Sequence, residues 1–128
     1  MRLDNGAGTV LMLGICGIVA TIGVGTAALG ALFDAREQAA TAAEAAALAA
    51  AVATYPAAAD GSPDRLAAEL AHHNGARLIS CWCDIDRSLR SRVVAVTVAL
   101  TADVPLFGEV VVGKTARAEF EPRVWLGR

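Results

Sequence analysis

No charged residue occurs between Asn5 and Phe33, and this stretch limits the architecture more than any other feature of the sequence. Within it, residues 9–33 read TVLMLGICGIVATIGVGTAALGALF, 25 residues without Asn, Gln or His. At helical rise such a segment is about 37 Å long, against a hydrocarbon core of about 30 Å. Ten of its residues are Leu, Ile or Val, together worth about −3 to −6 kcal/mol on the insertion scale. Five Gly and three Thr erode part of that gain. A transmembrane helix over residues 9–33 is the expectation. The competing reading is a cleaved secretory signal, which has a shorter apolar core after a clearly positive start. Here the start offers only Arg2 and the amino terminus, set against Asp4. The alternative would make the chain a secreted or surface binding protein that loses its first helix. The far flank opens with Asp34, Arg36 and Glu37, so the positive-inside rule favours a cytoplasmic N-terminus and an extracytoplasmic C-terminal part.

Small residues recur along this segment. Thr21/Gly25, Thr26/Gly30 and Gly23/Ala27/Ala31 are spaced four apart, so the members of each set share a helix face. Such faces let helices approach closely in lipid, which makes Thr21, Gly23, Gly25, Ala27, Gly30 and Ala31 a candidate packing face for copies or partners. Gly is also simply common in membrane helices. Cys16 lies in the same segment and reads as a small apolar filler.

Residues 34–54 (DAREQAATAAEAAALAAAVAT) contain no Gly or Pro, and Ala is the best helix former. Nothing between Phe33 and Asp34 stops a helix, so apolar segment and stem read as one rod, about 69 Å long from Thr9 to Thr54. Charge thins out after Glu44, leaving a face of Ala, Leu and Val that needs cover. Tyr55-Pro56 ends the rod, because the residue before Pro is pushed out of helical geometry. Residues 55–63 are a linker with turn chemistry at Asp60-Gly61 and Ser62-Pro63.

A small domain follows over residues 64–128. Ser62 as N-cap and Pro63 at the first position start a short helix, and Asn74-Gly75 stops it. His72 and His73 point about 100° apart on that helix and do not chelate a metal together. From Ala76 the period becomes two. Residues 77–86 place Ile79, Cys81, Cys83 and Ile85 on one face; residues 92–104 do so with Val94, Val96, Val98 and Leu100; residues 109–121 do so with Ala116, Ala118 and Phe120. Short connections predict a three-stranded antiparallel meander. The tail, residues 122–128, reads as irregular and anchored by Trp125. The fold class is therefore α+β: a long N-terminal helix, a short second helix and a three-stranded antiparallel sheet.

Function classes narrow by elimination. A hydrophobic content of 55 %, with 29 Ala, excludes a disordered chain. A net charge of −2 without a basic stripe argues against a nucleic-acid partner. Three Cys are too few for a disulfide-dense scaffold. Cys81 and Cys83 lie about 6.6 Å apart along an ideal strand, at the edge of disulfide geometry. Buried free thiols, a disulfide helped by a bend, and pairing with another chain all remain open. A metal site is weak with two ligands, and a thiol enzyme is weaker, because no basic partner accompanies the C-x-C pair. Neither G-x-S-x-G, H-E-x-x-H, a phosphate-binding loop nor a dinucleotide fingerprint occurs. No catalytic residue, cofactor or metal is expected.

The plan of a long, half-apolar helix before a small antiparallel domain resembles type IV pilins. Asp4-Asn5-Gly6-Ala7-Gly8-Thr9-Val10 resembles the G-A-x-x-V start of TadE-like proteins of the tight-adherence (Flp) pilus system. Residues 74–81 (NGARLISC), the Val-rich strand after them and the Gly-x-x-Ala-Arg-Ala of residues 113–118 are similar to actinobacterial TadE-like proteins encoded near secretion genes. The resemblance implies a pilin-like fold and a minor pilin or pseudopilin of a Tad-type pilus or related secretion apparatus. Membrane lipid, other pilin or secretion subunits and a prepilin peptidase are the implied partners, with a candidate peptidase site at Gly6-Ala7. Many pilins carry Glu at the fifth mature position. Cutting after Gly6 puts Leu11 there and cutting after Gly8 puts Leu13 there, which suits an accessory subunit that stays in the membrane. Relatives tend to carry a Cys in the short helix; this chain has none between Ser62 and Asn74.

Overall fold

Helix α1 runs unbroken over Asp4–Ala53, 50 residues without a proline, or about 75 Å of rod. The computed structural model describes residues 4–127, with side chains from Gly6 onward; Arg2, part of the orientation argument, lies outside the described residues. The two halves of α1 keep different company. Up to about residue 30 the helix is apolar on every side and carries its large side chains, Val10 to Leu29, in the open. A Cβ added at Gly6, Gly8, Gly14, Gly17, Gly23, Gly25 or Gly30 would meet no side chain or neighbouring backbone. Glycines cost helix stability in water, whereas in hydrocarbon every backbone group must bond internally, which enforces the helix.

The upper half is the opposite case. Ala35, Ala39, Ala42, Ala43, Ala46, Ala47, Ala50 and Ala51 form a buried stripe at helical spacing. Three further elements build the cover: α2 (Pro63–His73), then a sheet of β1 (Arg77–Trp82), β2 (Arg92–Val104) and β3 (Gly108–Phe120) in spatial order β1-β2-β3. Both strand pairs are antiparallel. α1 packs on β2 and β3, and α2 fills the space between α1 and β1. Val94, Val96, Val98 and Leu100 of β2 project into the same core as the alanines. Because Ala adds only a methyl, the sheet can approach the helix backbone closely, and the β-branched valines supply the bulk. The opposite face of the sheet is open.

α2 begins and ends as its sequence dictates. Ser62 Oγ accepts from Arg65 N–H at 3.4 Å, and Pro63 sits in the first turn. At the far end Gly75 N–H donates to His72 O at 3.0 Å and Ala76 N–H to Ala71 O at 2.9 Å, a Schellman motif. Gly75 holds φ 75°, and a Cβ there would meet Gln38 Nε2 at 2.8 Å. The amide of Gln38 in turn donates to Asn74 O at 3.3 Å, tying the end of α2 to α1.

Two expectations are corrected. β1 does not alternate strictly through residue 86: a bulge between Leu78 and Ser80 shifts the register, and the strand stops at Trp82. One extra residue flips the phase, so Leu78 and Cys81 pack on the core while Ile79 and Ile85 are exposed. The tail is not irregular at its start either: Pro122, suited to a first helical position, opens a short helix α3 (Pro122–Trp125). Trp125 stays half-exposed there and lines a shallow groove with Leu48, Val52 and Phe120.

Candidate functional site

The apolar lower half of α1 exposes its large side chains from Val10 to Leu29, and it is where the sequence places most of its candidate residues. Thr21, Gly23, Gly25, Ala27 and Gly30 are exposed, and Ala31 is half-buried. Thr21 and Thr26 turn their hydroxyls back onto Ile18 O (2.8 Å) and Gly23 O (2.9 Å), which removes their polarity from the surface. The six residues do not form one stripe. At about 100° per residue, Thr21/Gly25 continue the line of Ala28 and Ala35, the face the head packs on. Thr26/Gly30 lie nearly opposite, and Gly23/Ala27/Ala31 lie to one side. Gly6 and Ala7 sit in the first turns of α1, exposed and with open space around Gly6. Cys16 is a free, exposed thiol.

In the head, Cys81 and Cys83 are joined as a disulfide with a Cα–Cα distance of 5.4 Å. Strand β1 ends between them, so the backbone bends and shortens the 6.6 Å expected of an ideal strand. Cys83 is buried, with Asp64 Oδ1 of α2 3.3 Å from its sulfur. Asp64, Cys81 and Cys83 form the one group of three potential metal ligands among the described residues, their ligand atoms within 4.8 Å of one another. With the sulfurs bonded to each other, no thiolate is available there. His72 and His73 keep their rings 6.5 Å apart on the exposed end of α2, with Glu69 4.0 Å from His73.

A polar clasp at the top of the head escaped the sequence reading. Arg92, whose side chain is only 11 % exposed, donates to the backbone carbonyls of Asp86 and Ser88, to Thr54 O at 3.4 Å and to Arg90 O at 3.3 Å. Thr54 O also accepts from Asp86 N–H at 2.9 Å. One guanidinium therefore fastens the end of α1 to the β1–β2 connection. Asp86 closes an Asx turn by accepting from Ser88 N–H at 2.7 Å and Ser88 Oγ at 2.8 Å. Those two bonds, with help from Arg92 and Arg90, hold its carboxyl below the usual carboxylate range. The only hint in the sequence was a basic residue opening a Val-rich strand.

Residues 6–53 match the model of the family described as "Putative Flp pilus-assembly TadE/G-like". The match coincides almost residue for residue with α1 and includes none of α2, the sheet or α3. No curated protein and no solved structure matches the chain.

Proposed function

We propose that this chain, a TadE-like Flp pilus-assembly protein by its first helix, is a non-enzymatic, membrane-anchored subunit of a Tad-type pilus or related secretion apparatus, in the manner of a minor pilin or pseudopilin. The observation that carries the reading is the division of α1. Its upper half is the spine of a folded head, and its lower half is apolar all round and touches little of the rest of the chain. A helix that is hydrophobic on every side is stable in a bilayer or among other apolar helices, not in water. The lower half anchors the subunit and offers its small-residue faces to neighbouring helices.

An extracytoplasmic head is supported by the acidic flank beyond the apolar run and by the Cys81–Cys83 bond, since disulfides persist in oxidising compartments. The leucines at residues 11 and 13, where many pilins carry an acid, favour a subunit that stays in the membrane at the pilus base.

Deletion in the native host tests the role. Loss of surface pili or of protein secretion, restored by the full chain, is expected; normal piliation together with normal secretion in the deletion strain refutes it. N-terminal sequencing of the native protein separates the routes. Loss of residues 1–6 marks pilin processing, an intact start marks a plain anchor, and loss of the whole apolar run marks secretion and contradicts the proposal.

A further inference from the structure

We infer that the β2–β3 tip, Leu106 and Phe107, inserts into the same bilayer that holds the lower half of α1. The inference rests on the anchoring proposed above and adds a second lipid contact, made by the head.

The first observation is level. β3 runs in the same direction as α1: Phe120 lies beside Leu48 and Val52, and Ala116 lies beside Ala40 and Ala43. Those four strand residues cover about 13 Å, the length of about nine helical residues. Eight more residues lead down from Ala116 to Gly108, a further distance of about 27 Å. That brings the tip to the level of roughly residues 24–28 of α1. Strand β1 gives the same answer. Arg77, just beyond the Asn74 carbonyl bonded by Gln38, pairs with Ala99, and β2 descends from there to Val104. The burial agrees: Ala28 is only 5 % exposed, and Ala31 and Leu32 are half-buried, while Ala27 and Leu29 are exposed. The tip thus lies below Asp34, the first charge above the apolar run, by about 9–15 Å of helix.

The second observation is chemistry. Leu106 is 82 % exposed and Phe107 72 %, two adjacent bulky apolar side chains on a turn, with Pro105 before them and no charge among residues 104–108. Val104, on the closing rung, is 1 % exposed, so the turn is held firmly. Asp103 and Glu109 pair one rung higher on the open face. Two carboxylates there repel anionic headgroups and limit the depth, so the contact is apolar and independent of lipid charge.

The third observation is the backbone. Phe107 N–H donates to Val104 O at 3.0 Å, with Pro105 and Leu106 as the central residues. Leu106 holds φ 73°, the second central position of a type II turn, where Gly is the ordinary choice. A leucine in that conformation, with its side chain in the open, gives the head nothing that Gly would not. A side chain kept at a strained position points to a contact outside the fold, and a lipid surface is the apolar phase that reaches this level.

The test uses the full chain in phosphatidylcholine proteoliposomes, labelled without reductant by a polarity-sensitive thiol fluorophore. Four single-site labels are compared: native Cys16, and Leu106→Cys, Phe107→Cys and Thr101→Cys, each with Cys16→Ser. A Cys16→Ser chain with no added Cys gives the background. The labels at 106 and 107 are expected to be quenched by lipid carrying a shallow nitroxide. Their quenching by aqueous iodide is expected to be several-fold weaker than at 101, and unchanged when anionic lipid is added. Iodide quenching at 106 and 107 equal to that at 101, with Cys16 quenched by lipid, overturns the inference and leaves the anchoring standing. Shielding from iodide without nitroxide quenching means burial against a second copy and also overturns it. Iodide quenching at Cys16 refutes the anchoring, and this inference with it.

Discussion

Replacing Ala46 with Leu asks whether the alanine face of α1 is in close contact with the sheet. Ala46 has no exposed surface and shares one core with Val94, Val96 and Val98. Leu and Ala differ by only a few tenths of a kcal/mol in helix propensity, so helix formation barely enters. Were there room, three more buried carbons would stabilise the head by about 2.4 kcal/mol. In a seam built for methyl groups they instead force the sheet away, at a cost of about 1–3 kcal/mol. The two cases differ in sign. For a head of this size the loss lowers the melting temperature by roughly 5–20 °C. The assay is thermal unfolding of the full chain in mild detergent, followed by Trp fluorescence and circular dichroism. Thr41→Leu, on the exposed side of the same helix, is the control and should move little. An Ala46→Leu head as stable as the parent, or more so, would refute the close-packed seam.

Other outcomes follow from the polar groups. Arg92→Met keeps the stem of the side chain but leaves the Thr54, Asp86 and Ser88 carbonyls short of a donor; a loss of about 2–4 kcal/mol in the same melt is expected. Asp86 has its carboxyl held below the ordinary range, so it stabilises the fold above the unfolded carboxylate pKa of about 3.9, and that stability is lost as pH falls through the depressed value. Asp86→Asn should therefore melt lower than the parent at neutral pH, with the gap closing in acid; a pH-independent gap contradicts this. Alkylation of the denatured, unreduced chain should mark Cys16 alone by intact mass, and three marks would show that Cys81 and Cys83 are free thiols.

How much of this was legible in the sequence varies by element. The rod was, because Ala-rich helix follows apolar helix with no stop signal between them. The second helix was, because Ser62, Pro63 and Gly75 are local signals and act locally. The central strands were, since the inward valines of β2 alternate without error. The bulge in β1 was not: Leu78-Ile79 offers two apolar residues in a row, and pairing with β2 decides which one turns inward. The small-residue sets were legible one by one, but their spread around the helix shows only when referred to the head. Arg92 was hidden because its partners are backbone carbonyls of residues 54, 86, 88 and 90, which carry no side-chain signature. The level of the β2–β3 tip was out of reach too, since it depends on how the strands lie along α1.

Alkaline carbonate extraction of membranes from the native host, read by immunoblot and intact mass, addresses the division of α1 most directly. The account predicts that the protein stays in the pellet with residues 9–33 intact. Recovery of a chain that still carries this segment in the soluble fraction, as a monomer, would contradict it.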